Sequence, residues 1–258
     1  MRLAGSRVLV TGASSGIGEA TARALALRGA SICIVARRKD RLRRLADEIR
    51  AIGVAVSERP LDLTGEGAAE EAVRGCVNDL GGLDILVNNA GRGAYLPLVE
   101  VTPTAARAMF ELNVIAPLQL IRAVVPHMRG RGGGLIVNIG SNAARMGRPN
   151  VGLYAATKSA VETMSIAVRE ELANLGIRVI LVSPGRTTSE FGEMALRGDS
   201  LEPPAKGGLS PTGSTPVSAD YVAGRIVRAI ELESAWTAAP LRHEARRAEP
   251  VPWDGIES

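Results

Sequence analysis

Apolar runs and helix-period stretches alternate along most of the chain. Arg7 to Val10, Ser31 to Ala36, Val54 to Leu61, Leu83 to Val87, Leu135 to Ile139 and Arg178 to Val182 are short aliphatic or β-branched runs, the pattern of strands buried on both faces. Between them, polar and apolar positions recur with helical period: from the glycines after Val10 to Arg28, Asp40 to Ile52, Glu66 to Leu80, Thr102 to about Met128, through Tyr154 to Leu175, and Ser218 to Glu233. Gly176 stops the fifth of these, and Pro117 lies inside the fourth, where its missing donor predicts a local kink. Six strands alternating with helices predict an α/β fold: one Rossmann-type doubly wound parallel sheet, order 3-2-1-4-5-6, with right-handed crossovers and helices on both faces.

Past the sixth strand the pattern changes. Residues 198 to 216 hold four glycines and four prolines, so a mobile substrate loop is expected over about 190–216, leaving from the ligand edge of the sheet. The reading is one domain over 1–233 and an irregular tail over 234–258, in which no seventh strand is evident. No internal repeat is present.

Composition narrows this without redirecting it. A length of 258 residues suits a single α/β domain. With 46% hydrophobic but 3% aromatic residues, the core must be aliphatic. A formal charge of +4 gives little reason to expect a nucleic-acid partner. Arg242, Arg246 and Arg247 alternate with Glu244 and Glu249, and no aromatic platform accompanies them. Cys33 and Cys76 lie in apolar strand-like and helix-like runs, as packed reduced thiols would. No signal-like segment opens the chain and no apolar run reaches about 18 residues, so no membrane role and a cytoplasmic setting are expected.

The candidate chemistry gathers at strand ends. Thr11-Gly12-Ala13-Ser14-Ser15-Gly16-Ile17-Gly18 lies between the first strand and a helix. Alone it could be a tight turn; in this context its glycines let the backbone approach a diphosphate held at the helix N-terminus. Arg37, Arg38 and Lys39 follow the second strand, where an adenosine ribose would lie. Ala36 offers no carboxylate for a 2′-hydroxyl, whereas arginine suits a 2′-phosphate. These cations could instead be solvated surface charges, yet at a helix start they oppose its dipole. Asp62, with Leu63, follows the third strand. It could accept from an adenine amine, cap the next helix or turn the loop. Asn88-Asn89-Ala90-Gly91 ends the fourth strand in a sharp turn, and Ser141 follows the fifth.

Tyr154 and Lys158 stand four apart on one helix and share a face. A cation there favours the phenolate and makes the phenol a usable proton donor near neutrality. Lysine at 158 runs against the composition, since three of 31 basic residues are lysines. A histidine relay is not expected, because only His127 and His243 occur.

Together these residues resemble the short-chain dehydrogenase/reductases over about 6–190: the turn at 11 to 18, Asn-Asn-Ala-Gly at 88 to 91, Asn113, Ser141, Tyr154-x-x-x-Lys158 and Pro184-Gly185. The resemblance implies that Tyr154 exchanges the proton with a substrate oxygen, Ser141 hydrogen-bonds that oxygen, and Lys158 holds the nicotinamide ribose and lowers the Tyr154 pKa. Asn113 would support a water linking Lys158 to solvent. NADP(H), rather than NAD(H), would be held by Gly12, Ser14, Ser15, Gly16, Ile17 and Gly18, by Arg37 and Arg38, and by Asp62, Leu63, Asn89, Ala90 and Gly91. Tyr154 and Lys158 would reach its ribose, and Pro184, Gly185, Thr187 and Ser189 its carboxamide. Ser15 departs from the pattern, since many NADP(H)-preferring members carry a basic residue there. Arg186-Thr187-Thr188-Ser189 departs too, where a branched apolar residue and a threonine are usual.

The implied activity is reduction of a carbonyl or oxidation of a secondary alcohol. Tyr95, Leu96, Met146, Phe191 and Met194 suggest an apolar substrate pocket. A dinucleotide-binding scaffold or sensor with little turnover is the alternative. The helices carrying Asn113 and Tyr154 resemble those of a common interface in that family, and the resemblance implies a homodimer, with a tetramer as the larger option.

Overall fold

The structure, a computed structural model, describes residues 2–188 and 216–232. Strands β1 (Arg7–Thr11), β2 (Ser31–Ala36), β3 (Val56–Pro60), β4 (Ile85–Asn88), β5 (Gly134–Ile139) and β6 (Ile177–Val182) form one parallel sheet in the order β3-β2-β1-β4-β5-β6. The expected order is found. Period-two alternation divides the strand residues between two cores. Val8, Val10, Ile32, Ile34, Ile85, Val87, Leu135 and Val137 face one side; Leu9, Cys33, Val35, Leu86, Ile136 and Val179 face the other.

Helices cover both. α1 (Gly16–Ala26), α2 (Lys39–Ile52) and α7 (Ala219–Leu232) bring Leu25, Leu42, Ile49, Ile226 and Ile230 to the first core. α3 (Ala68–Leu80), α5 (Ala116–Arg129) and α6 (Gly152–Leu172) bring Val73, Cys76, Leu120, Val124 and Val168 to the second. Each such side chain, fully buried, contributes roughly 1.5–3 kcal/mol. Cys33 and Cys76 are both free and buried. Hydrogen bonding to Cys33 and burial push the Cys76 thiol pKa well up, so packing rather than reactivity describes the pair.

The long helix expected over 102–128 is not one helix. α4 (Pro103–Phe110) is capped by Thr102, whose hydroxyl accepts from the Ala105 N–H at 3.2 Å. A π turn, Glu111–Ile115, follows, and α5 begins at Ala116 with Pro117 in its first turn. The kink therefore lies just ahead of the proline. Pro117 has no N–H for the carbonyl of Asn113, four residues earlier, and its ring crowds that carbonyl, so the extra residue of a π turn falls there. By length and composition alone the path Pro103–Arg129 could cross a bilayer, but Leu120, Ile121, Val124 and Met128 pack on the sheet.

A short pair, β7 (Thr187–Thr188) with β8 (Val217–Ser218), lies outside the main sheet. Ser189, most of the expected 190–216 loop and the 234–258 tail lie outside the described residues.

Candidate active site

All the strand ends named above open on one edge of the sheet. There Gly12 and Gly16 take left-handed backbone, with φ of 67° and 57°. A Cβ on Gly12 would stand 2.8 Å from the Ala90 Cα, and one on Gly18 would overlap the Asn89 amide and the Gly12 carbonyl. The closeness has a purpose: Asn89 Nδ2 donates to the carbonyls of Thr11 (3.0 Å) and Gly12 (3.4 Å). The Thr11 hydroxyl in turn accepts from the N–H groups of Asn89 and Ala90 at 3.0 and 3.1 Å. The glycine turn and the Asn89-Ala90-Gly91 turn are thus one rigid unit. Ser15 sits at the N-cap of α1, and no side chain caps that terminus. Its first-turn N–H groups and the positive end of the dipole are left to an anion.

The two arginines after β2 diverge. Arg38 folds back over the glycine turn: Nε donates to Ser14 Oγ (3.1 Å), and Nη2 to Ser15 Oγ (2.6 Å) and Ser14 O (3.4 Å). A cation thereby stands beside Ser15, where the sequence lacks a basic residue. Arg37 points to Asp62, 3.7 Å away. Asp62 Oδ1 accepts from the N–H and hydroxyl of Thr64 at 3.0 and 2.8 Å, which is the loop-turning role. Burial works to raise the Asp62 carboxyl, but the Thr64 hydrogen bonds and Arg37 outweigh it and hold the pKa below the usual value. The Leu63 side chain is buried in the second core, so only its backbone faces the edge.

Tyr154 and Lys158 project from the first turns of α6, the tyrosine half-buried and the lysine buried. The Ser141 hydroxyl hydrogen-bonds the Tyr154 phenol and also accepts from the Ala143 N–H at 3.1 Å. Lys158 Nζ donates to the Ile139 carbonyl at 2.8 Å and lies 5.9 Å from the Tyr154 ring centroid. Here the structure corrects the sequence. Burial pushes the Tyr154 phenol up to about 12, with Ser141 opposing, and pushes Lys158 down to about 8. The expected lowering of Tyr154 by Lys158 is not found, because desolvation outweighs it and the ammonium is turned toward the end of β5.

Asn113 lies in the π turn, and its side chain is fully engaged. Its Oδ1 accepts from the Arg92 N–H at 2.8 Å, while Nδ2 donates to the Arg92 carbonyl at 2.9 Å and to Thr157 Oγ1 at 3.0 Å. Thr157 then donates to the Tyr154 carbonyl at 2.8 Å. The side chain is spent on protein partners. Gly91 fits against this group: a Cβ there would lie 3.1 Å from Asn113 Oδ1 and 3.8 Å from Lys158 Nζ.

Three supporting residues went unseen in the sequence. Thr157 ties Asn113 to α6, and a buried chain runs below it: Asn88 Nδ2 to Asn138 Oδ1 (2.9 Å), Asn138 Nδ2 to Ser165 Oγ (2.8 Å), Ser165 to the Val161 carbonyl (2.6 Å). The available signal was an amide, Asn138, inside an otherwise apolar strand. On the last strand end, the Pro184 carbonyl accepts from the Asn142 N–H at 3.0 Å, which sets Pro184-Gly185 beside Ser141. Thr187 lies in β7, its hydroxyl donating to the Gly185 carbonyl at 3.3 Å. Of the apolar pocket candidates, Leu96 is buried and its N–H is held at 2.9 Å by the carbonyl of Asn150, which adopts φ of 67°. Met146 is exposed; Phe191 and Met194 lie outside the described residues.

The family model for short chain dehydrogenases matches residues 6–198, and the chain belongs to that family. It is similar to a glycine betaine reductase of Emericella nidulans, 34% identical over 88% of this chain and 18% of the relative. The chain spans 18%, 62% and 60% of the length of three curated relatives it matches. Among solved structures it is similar to a short-chain dehydrogenase of Sphingobium yanoikuyae in complex with NADPH, with TM-score 0.79 and 32% identity over 94% of this chain and 90% of that one. It is also similar to one from Burkholderia phymatum in complex with NAD, with TM-score 0.81 and 25% identity over 92% and 89%.

Proposed function

We propose that this chain is an NADP(H)-dependent oxidoreductase that interconverts a carbonyl and a secondary alcohol, with Tyr154 as general acid and base. One observation carries the reading: a half-buried phenol hydrogen-bonded to Ser141, with Lys158 one turn along the same helix, beside an anion-ready glycine turn. The donor set fits a dinucleotide. The uncapped α1 terminus with Gly12, Ser14, Ser15, Gly16, Ile17 and Gly18 suits the diphosphate, and Asn89, Ala90, Gly91, Asp62 and Leu63 suit the adenosine. Pro184, Gly185 and Thr187 suit the carboxamide end, to which the family resemblance adds Ser189, outside the described residues. Relatives in structure hold NADPH in one case and NAD in another; Arg37, and Arg38 against Ser14 and Ser15, favour the 2′-phosphorylated form.

NADPH, when bound, supplies the hydride for the carbonyl carbon. Tyr154 gives its proton to the carbonyl oxygen, and Ser141 donates a hydrogen bond to the charge growing there. The reverse direction returns the proton to the phenolate. Lys158, as a cation, steadies that phenolate and holds the ribose hydroxyls, and its own proton is replenished through a water supported at Asn113. The substrate is a small molecule, taken as apolar from Leu96 and Met146.

Tyr154→Phe keeps the ring and removes the proton. Turnover of a reactive ketone should fall about 10²–10⁴-fold while NADPH still binds within a few-fold. Unchanged turnover would refute the mechanism, and tight NADPH binding by the wild type with no turnover across ketones, aldehydes and alcohols would instead indicate a sensor. Two further proposals accompany this one. The protein is a homodimer joined through α4, α5 and α6, and it works in the cytoplasm, which two free buried thiols support.

A further inference from the structure

The loops after β2, β3 and β4 converge on a pocket lined by Arg37, Asp62, Thr64, Arg92, Glu111 and Leu112. Two guanidinium groups in one pocket repel, and the arrangement calls for negative charge between them. Asp62 supplies part of it, but Oδ1 is taken by Thr64 and Oδ2 leans to Arg37 at 3.7 Å. Arg92 is half-buried, and among the described residues its guanidinium donates no hydrogen bond and enters no ion pair. Glu111 lines the same pocket without pairing with it. Burial and the nearby Arg37 lower the Arg92 pKa, and Asp62 opposes them without outweighing them, so the positive charge is only partly met. Its backbone, by contrast, is fixed, because Asn113 takes both the N–H and the carbonyl. A cation met only through space by Asp62, on a clamped backbone, is preorganised for a ligand rather than left over from folding.

We propose that Arg92 is the second guanidinium of the adenosine pocket and, facing Arg37, clamps the 2′-phosphate of the dinucleotide. This rests on the NADP(H) reading and adds to it a specificity-determining residue that follows β4 rather than β2. Through Asn113, the group that reads the 2′-phosphate is joined to the residues around Tyr154.

The probes are 2′,5′-ADP and 5′-AMP, with NADPH and NADH, titrated calorimetrically against the full chain. Arg92→Gln should weaken 2′,5′-ADP and NADPH about tenfold, change 5′-AMP and NADH less than twofold, and flatten the salt dependence of NADPH binding. Arg92→Lys, which keeps a point charge, should recover part of the loss. Equal weakening of all four ligands, or no weakening of NADPH, overturns the role of Arg92. A wild type that holds 2′,5′-ADP no tighter than 5′-AMP overturns the NADP(H) reading, and this inference with it. An unaltered thermal midpoint for Arg92→Gln keeps a folding defect from passing as either result.

Discussion

Lys158 shows what one residue costs the fold and gives the site. It is 5% exposed, and Ile139 supplies the one hydrogen bond its ammonium makes among the described residues. A folded pKa of about 8 against 10.5 means that below pH 8 the folded protein holds a charge it would rather shed, at about 3 kcal/mol. The unfolded chain binds more protons between those two values, so stability rises with pH across that window. Lys158→Met should therefore raise the thermal midpoint at pH 7 and lose the advantage toward pH 10, while turnover collapses. A midpoint that falls at pH 7 would show the Ile139 hydrogen bond outweighing desolvation. Beyond pH 10, ionisation of Tyr154 in the unfolded chain acts the other way, its folded pKa being raised to about 12, so the comparison belongs below that. The Tyr154–Lys158 spacing was plain in the sequence because helical period alone places the two together. The direction of the Tyr154 shift was not, because desolvation depends on how β5 and α6 enclose the pair.

At the scale of elements, local chemistry was legible and tertiary crowding was not. Glycine at 12 and 16 announces left-handed backbone, but nothing in the sequence says that Gly18 faces the Asn89 amide. Gly18→Ala should push the β4 turn off the glycine turn, destabilise by about 1–3 kcal/mol and weaken NADPH binding more than tenfold. Gly224→Ala, on the exposed side of α7 with nothing near its Cβ, is the counterpart and should stabilise by about 0.5–1 kcal/mol. Equal denaturation midpoints for the two variants would refute the crowding argument. Pro117 likewise announced a break, while its placement one turn earlier, at Asn113, follows from which carbonyl the proline leaves without a donor. The side-chain oxygen and amide of Asn113 went to Arg92 and Thr157, a meeting of the π turn, the loop after β4 and α6 that no local pattern encodes.

For the whole molecule, strand order was legible because alternating strands and helices with right-handed crossovers leave few topologies. What a single chain conceals is the surface that α4, α5 and α6 present together. Only 39% of the apolar window of Pro103–Arg129 is buried, and Phe110, Leu118 and Ile166 stay exposed on these helices. A two-fold axis would set that surface against its own copy, each side burying what the other exposes. Leu118→Glu with Ile166→Glu places four carboxylates in such an interface, two from each copy, and charges shut away from water cost several kcal/mol. Light scattering at micromolar concentration should give twice the chain mass for the wild type and the chain mass for the double variant. A monomeric wild type would remove the dimer. If the variant stays folded, binds NADPH as before and yet turns over more slowly, the interface supports α6, the helix that carries Tyr154 and Lys158, and assembly and catalysis are coupled through that helix.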